Sequence, residues 1–134
     1  MMPLRVTNTG RDTIVGVRVV LADRWLARLR GLLGQPEPAA GEGLLLSPCS
    51  SVHMVGMRYP IDVAFLDREG RVLAVRQALR PGLHTAACRG ARYTLELPAG
   101  TLALTGTVPG DRLQWHETGP AQGGRRGSHQ ETAS

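Results

Sequence analysis

The sequence predicts a mainly β protein: a small β-barrel or β-sandwich of about seven strands, with one short α-helix in its N-terminal half. Two observations lead to this prediction. Short segments rich in Val, Leu and Thr recur along the chain, and Gly, Pro, Asn and Asp separate them at regular intervals. One segment near the N-terminus shows helical periodicity instead.

The N-terminal part predicts a hairpin followed by the helix. Residues 4–8 and 13–21 alternate loosely in polarity on either side of "NTGRD", which is a hairpin signal. Asp23 stands at an N-cap position before "RWLARLRGLLG", and Gly34 provides a stop. An apolar stripe at helical spacing comprises Trp25, Leu26, Leu29, Leu32 and Leu33. We therefore expect a short amphipathic helix with its apolar face on the core.

The later strands are apolar runs between turns. "LLLSPC" predicts a buried strand, and "IDVAFLD" is the strongest strand signal of the chain. Side chains of an extended strand alternate between two faces. On one face we expect Ile61, Val63 and Phe65, and on the other Asp62, Ala64 and Leu66. This strand is followed by the turn "DREG" and a return strand, "RVLAVRQAL". After them we expect a long loop at 80–90, a strand in "ARYTLELPAG" and a last strand after "VPGD".

Length and composition indicate one soluble domain. The chain has 134 residues, of which 42% are hydrophobic. We assign residues 1–116 to a single β domain and predict a disordered tail over 117–134, because that segment is polar, Gly-rich and without periodicity. No apolar run approaches the ~18 residues of a membrane span, and the N-terminus lacks a signal-peptide run. We expect a cytoplasmic protein with no membrane partner.

The basic charge of the chain does not by itself indicate nucleic-acid binding. All 16 basic residues are arginine, and the net charge is +5. A basic face could bind nucleic acid, but these arginines are scattered along the sequence. Aromatic residues, which form base-stacking platforms, make up only 4%. The sequence therefore predicts no nucleic-acid partner.

Four motifs in a fixed order connect the chain with a known family. They are "RLRGLLG" at 28–34, "GEGLLLSPCSSVHMVGMRYPIDVAFLDREGRV" at 41–72, "CRGARYTLELPAG" at 88–100 and "PGDRL" at 109–113. Together they resemble the bacterial and archaeal family called domain of unknown function 192 (DUF192, also UPF0127), over residues 4–116. The resemblance implies a compact, mainly β domain with a short early helix, and it brings no established activity. It also implies a helix ending in glycine after "LPAG", where this chain has the short, β-branched "TLALTG".

The pattern C-x-S-x-H-x4-R-x-P-x-D, which begins at Cys49, contains the main candidates for a ligand site. Asp62 interrupts an apolar strand, and a buried carboxylate must be paired or hydrogen-bonded. An arginine fork suits a carboxylate or phosphate, and a histidine titrates near neutral pH. We predict a polar cleft for a small anionic or hydroxylated ligand, formed by His53, Arg58, Asp62, Glu96 and Ser51. The alternative is structural: an Arg–carboxylate pair, or Asp62 accepting N–H bonds from a neighbouring loop.

A metal site and a thiol site are the alternatives to this cleft. A Cys₂His₂ zinc set would use Cys49, His53, His84 and Cys88. An extended segment would separate Cys49 from His53 by about 13 Å, which disfavours both a shared metal and a Cys–His catalytic dyad. We therefore predict no metal and no cofactor. Contact between Cys49 and Cys88, with or without a disulfide, stays open.

The sequence most favours a non-catalytic binding or accessory domain, because its polar residues form no recognised catalytic set. The recognition surface would lie at 48–60, and its partner would be a small ligand or a protein. A shallow exposed apolar patch around Met54, Val55 and Met57 would favour a protein partner. The alternative is a small hydrolase or metal-dependent enzyme that uses His53, Asp62 and Cys49. Whether the protein is an enzyme stays open at this point.

Overall fold

A computed structural model describes residues 3–23 and 31–118. These residues contain nine strands and one short helix. The helix spans Thr101–Thr105. The strands are β1 (Leu4–Asn8), β2 (Thr13–Ala22), β3 (Glu42–Leu46), β4 (Ser51–His53), β5 (Ile61–Leu66), β6 (Val72–Leu79), β7 (Thr85–Ala87), β8 (Tyr93–Pro98) and β9 (Leu113–Glu117).

Seven strands form one sheet in the order β6-β5-β8-β3-β2-β1-β9, and β4 and β7 form a separate two-stranded ribbon. Paired strands are antiparallel except for β2 and β3, which are parallel. The large sheet curls into a half-barrel. Its two edge strands approach each other where Arg71 bridges Arg112 and the Val72 amide donates to the Asp111 carbonyl at 2.8 Å. The predicted mainly β fold is confirmed.

The inner face of the half-barrel holds the larger of two apolar clusters. Its fully buried members include Val6, Val19, Leu45, Leu66, Leu95, Leu97 and Leu113. The short helix adds Leu102, which is also fully buried. "TLALTG" forms this helix despite its threonines: it begins after Gly100 and ends at Gly106, which adopts the left-handed conformation, with φ 72°, that stops a helix. The helix that the family resemblance implied is therefore present.

A second apolar cluster covers the outer face of β5 and packs under the ribbon. It comprises Leu32, Val52, Met54, Met57, Tyr59, Ile61, Val63, Phe65 and Ala86. All six residues of β5 are buried because both faces of this strand are covered. Ile61, Val63 and Phe65 belong to this outer cluster and Ala64 and Leu66 to the inner one, which confirms the predicted alternation.

The structure changes three details of the predicted fold. The seven predicted strands are those of the large sheet, whereas the ribbon was not predicted and β7 lies within the expected loop at 80–90. The predicted early helix falls largely on residues 24–30, and the predicted tail largely on 119–134; both ranges lie outside the described residues. Strand β9 extends through Glu117, and the Thr118 amide donates to the Pro3 carbonyl at 3.0 Å. No helix in the described ranges is long and apolar enough to cross a membrane.

Candidate functional site

A cavity of about 530 Å³ lies between strands β2 and β3 and the loop at 31–38; we call it the β2–β3 cavity. Its walls are mainly apolar. They include Pro3, Val20, Leu21, Ala22, Leu32, Pro36, Pro38 and Leu44. Among the described residues, the polar side chains that line it are those of Arg18, Gln35, Glu37 and Glu42.

Strand pairing places Glu96 next to the floor of this cavity. Leu44 of β3 is opposite Val20 of β2 on one side and opposite Glu96 of β8 on the other. Residues directly opposite each other in a sheet project from the same face. Val20 and Leu44 line the cavity, so Glu96 projects on the cavity side one strand further in.

The Glu96 carboxyl is buried beneath the backbone of the loop. The residue is 4% exposed, and burial raises the pKa of its carboxyl to about 7 although the Leu32 amide donates to Oε1 at 3.1 Å. Gly31 has φ 54°, and a Cβ at this position would approach both carboxyl oxygens to 3.1 Å. The backbone can pass this closely over the carboxyl because residue 31 has no side chain.

Tyr59 holds the same loop from its other side. The Tyr59 hydroxyl oxygen lies 3.3, 3.0 and 3.2 Å from the carbonyl oxygens of Leu32, Gln35 and Pro36. A hydroxyl donates one hydrogen, so the three carbonyls share a single donor. Burial raises the pKa of Tyr59, and the negative charge of Glu96 raises it further. The hydroxyl therefore remains a donor at neutral pH.

Arg58 lies behind this loop in a second cavity. That cavity has a volume of about 360 Å³ and is lined by Leu32, Gly34, Gln35, Pro36, Arg58 and Tyr59. The loop residues Leu32, Gln35 and Pro36 line both cavities, so the loop forms the wall between them. Of the five predicted ligand residues, the structure therefore places Arg58 and Glu96 around one loop.

Asp62 lies on the opposite side of the sheet, which corrects the prediction of one cleft. In the β5–β8 ladder Asp62 is opposite Leu97, while Glu96 is opposite Val63. Leu97 belongs to the inner cluster and Val63 to the outer one, so the two carboxyl groups project from opposite faces. A single cleft cannot contain both.

The three contacts of Asp62 are all with backbone amides. Its Oδ1 accepts from Ala78 N at 2.8 Å, and its Oδ2 accepts from Gly100 N at 3.1 Å and Leu102 N at 2.8 Å. The residue is fully buried. This is the structural alternative predicted from the sequence: the carboxylate ties β6 and the start of the short helix to β5.

His53 and Ser51 lie on the ribbon, and neither lines the two cavities around the loop. His53 is exposed, and its Nδ1 lies 2.9 Å from the Thr85 hydroxyl on the partner strand. The two methionines do not form the exposed apolar patch that would favour a protein partner. Met54 and Met57 are 1% and 8% exposed because they pack in the outer cluster, whereas Val55 is 52% exposed.

The four residues of the alternative zinc set do not converge. Cys49 Sγ and Cys88 Sγ each contact a nearby backbone carbonyl, at 3.1 and 3.7 Å, and His84 Nε2 contacts the Arg80 carbonyl. Among residues 3–23 and 31–118, no group of three or more His, Cys, Asp or Glu residues could hold a metal ion. Both cysteines are free, so no disulfide joins them.

The residues that form the β2–β3 cavity were largely missed from the sequence. Arg18, Glu37 and Glu42 sit in ordinary strand and loop patterns, and nothing local marks them as neighbours. Their proximity depends on the parallel pairing of β2 with β3, in which Arg18 is opposite Glu42. Gly31 was the one local signal, since a glycine inside a predicted helix is unfavourable and needs a reason.

Comparisons with known proteins place this geometry in a family. The family model DUF192, described as an uncharacterised ACR, matches residues 5–115. The UPF0127 protein of Thermococcus sibiricus is 32% identical over 102 residues, which cover 73% of this chain and 66% of that protein. The UPF0127 protein of Pyrococcus furiosus is 30% identical over 112 residues, covering 81% of this chain and 96% of that protein.

A solved structure shares the fold. The crystal structure of a protein from Novosphingobium aromaticivorans DSM 12444 matches with a TM-score of 0.73 at 24% identity. The match covers 84% of each chain. At this identity the likeness concerns the fold alone.

Proposed function

Because the chain belongs to the DUF192 family of uncharacterised proteins, we propose its function from its own geometry: a non-catalytic domain that binds a small molecule in the β2–β3 cavity. One observation carries the proposal. A mainly apolar cavity adjoins a buried carboxyl, Glu96, whose pKa of about 7 lets it donate or accept a hydrogen bond near neutral pH. A volume of about 530 Å³ lies within the usual range of ligand pockets.

The lining favours a hydroxylated ligand over an anionic one. Among the described residues that line the cavity, Glu37 and Glu42 are acidic and Arg18 is basic. These residues would present an anion with more negative than positive charge, which disfavours its binding. A ligand with an apolar body and a hydroxyl or amide end could cover Val20 and Leu44 and direct its polar end toward the loop.

The enzyme alternative has less support in the geometry. It requires Asp62 together with His53 and Cys49, but Asp62 is enclosed on the inner face and its oxygens accept three backbone N–H groups. His53 lies on β4 of the ribbon, and Cys49 precedes that strand. A general base must reach the proton that it abstracts, and a fully buried Asp62 cannot do so from this position.

A fragment screen on a blocked cavity tests the proposal. Uncharged hydroxylated aromatic fragments would be screened by ligand-observed NMR against the wild type and against Val20→Trp, which fills the cavity from β2. Val17→Trp is the matched control, because Val17 has nearly the same exposure, 40% against 41%, and does not line the cavity. We expect fragments that bind the wild type and Val17→Trp but not Val20→Trp. No binding to the wild type, or equal binding to all three, would refute the proposed site.

A further inference from the structure

The turn between β5 and β6 carries arginines that the proposed function does not use. Asp67 organises this turn: its Oδ1 accepts from the Glu69 amide at 2.8 Å and from the Arg71 amide at 2.9 Å. With its carboxylate engaged by the backbone, Asp67 holds Arg68 and Glu69 at the tip, where both are exposed.

A second loop brings Arg92 to the same place. The Arg92 amide donates to the Leu66 carbonyl at 2.7 Å, immediately before the turn. Arg68 and Arg92 line one open cavity of about 500 Å³, which we call the arginine cavity; its other lining residues are Asp67, Glu69, Gly90 and Ala91. Within the described part of the chain, neither guanidinium forms an ion pair or a hydrogen bond.

Two more arginines lie beside this turn. Arg71 is paired with Arg112 in an isolated bridge, and Arg71 Nη1 donates to the Gly110 carbonyl at 3.1 Å. Arg112 Nε is buried and has no hydrogen-bond partner among the described residues.

The arginine cavity is lined by two arginines and two acidic residues. One of the acidic residues, Asp67, already accepts two backbone N–H groups, which leaves Glu69 as the other carboxylate beside Arg68 and Arg92. Arg71 and Arg112 lie beside the turn and add positive charge near this concave surface, and positive potential concentrates anions from solution. Planar guanidinium forks match the oxygens of a phosphate group particularly well.

We propose that the arginine cavity binds a phosphate group, which Arg68 and Arg92 contact directly while Arg71 and Arg112 add positive potential. The group belongs to a small phosphorylated molecule or to a nucleic-acid backbone, since both present the same oxygens. This site is separate from the β2–β3 cavity, and the two proposals can fail independently. The anionic ligand predicted from the sequence would then bind in the arginine cavity and not at Arg58.

Phosphate binding is tested with inorganic pyrophosphate and with a short labelled DNA duplex as probes. Binding would be measured by chemical-shift perturbation for pyrophosphate and by fluorescence anisotropy for DNA. The test variant is R68Q/R92Q. The control is R76Q/R80Q, which removes the same number of charges from exposed arginines that do not line the cavity.

We expect pyrophosphate to shift the amides of residues 67–71 and 90–92, and to bind R68Q/R92Q at least roughly tenfold more weakly while R76Q/R80Q is nearly unaffected. DNA binding with the same dependence on the two variants would support the proposal and identify a nucleic acid as the source of the phosphate. No binding of either probe would overturn it. Equal loss in both double variants would also overturn it, because it would show a nonspecific effect of net charge.

Discussion

Asp62 and Glu96 lie on adjacent strands, are both buried and have different roles. Asp62 accepts three backbone amides, whereas Glu96 accepts one. Hydrogen bonds to a carboxylate stabilise its charged form, and burial destabilises it. Burial therefore dominates at Glu96 and raises its pKa to about 7. Three amide donors make Asp62 a structural tie between elements, whereas burial raises the pKa of Glu96 into the neutral range.

Replacing Asp62 should strongly destabilise the fold. Asp62→Ala removes the acceptor for Ala78 N, Gly100 N and Leu102 N, and leaves these amides unpaired. We expect the free energy of unfolding, measured by urea denaturation, to fall by about 2–4 kcal/mol. Asp67→Ala is the control: its carboxylate also accepts two amides, but at an exposed turn where water can replace it, so we expect a smaller loss. Equal losses of stability in the two variants would show that burial does not strengthen the contribution of the Asp62 hydrogen bonds to the free energy of unfolding.

Glu96 should make stability depend on pH near neutrality. Its pKa is about 7 in the folded protein and near 4.5 when the chain is unfolded, so the folded state holds the proton more tightly. This contribution is fully present below about pH 4.5 and is lost as the pH rises to about 7, by roughly 3 kcal/mol.

The measurement is urea denaturation at several pH values across this window. Glu96→Gln cannot ionise and should lose this part of the pH dependence, while Glu42→Gln should keep it. If the wild type and Glu96→Gln have the same slope of stability against pH, then Glu96 does not titrate in this window.

At the scale of elements, the local sequence pattern was sufficient to predict a strand wherever the strand has a clear hydrophobic period or is bounded by turn residues. The seven strands of the large sheet and the two faces of β5 follow from apolar runs and alternation. Strands β4 and β7 have three residues each, too few to show a period, and they exist because they cover the outer cluster. The lining of the β2–β3 cavity was largely missed because it depends on pairing between distant segments: Val20 is opposite Leu44, which is far from it in sequence.

The irregular pairing of β5 with β6 gives a prediction for Ala78. The register shifts between Ile61 and Val63, and Ala78 has φ 50°, a conformation that costs an L-residue roughly 1–2 kcal/mol. Its amide nevertheless donates to Asp62. Ala78→Gly keeps this bond and removes the strain, so we expect the free energy of unfolding to rise by about 0.5–1 kcal/mol.

Ala74→Gly is the matched control on the same strand. Ala74 packs against the outer cluster and is not among the residues with positive φ, so its replacement should lower stability. Thermal and urea denaturation of the two variants measure both effects. A loss of stability in Ala78→Gly would mean that its methyl group contributes more than the strained backbone costs.

At the scale of the whole molecule, one sheet is shared by two apolar layers of unequal strength. The inner cluster is enclosed by the half-barrel, in which β3, β5 and β8 are each paired on both sides. The outer cluster is covered by the ribbon, whose two strands are held by three residue pairs. The loop that forms the β2–β3 cavity packs with this weaker layer through Leu32 and Tyr59.

The outer layer should therefore open without the half-barrel. Native-state hydrogen exchange would compare Val52→Ala, which truncates a ribbon residue of the outer cluster, with Leu95→Ala, which truncates a fully buried residue of β8. Val52→Ala destabilises the native state relative to both local and global opening, so we expect the ribbon amides, such as Met54 and Cys88, and the amides of β3 and β8 to lose protection together. Leu95→Ala should lower protection of the β3 and β8 amides by about 2–5 kcal/mol and leave the ribbon amides unchanged, because the half-barrel stays folded when only the outer layer opens. Loss of protection in the ribbon equal to that in β8, in Leu95→Ala, would show that the two layers unfold as one unit. Ligand entry past the loop at 31–38 would then require global rather than local opening.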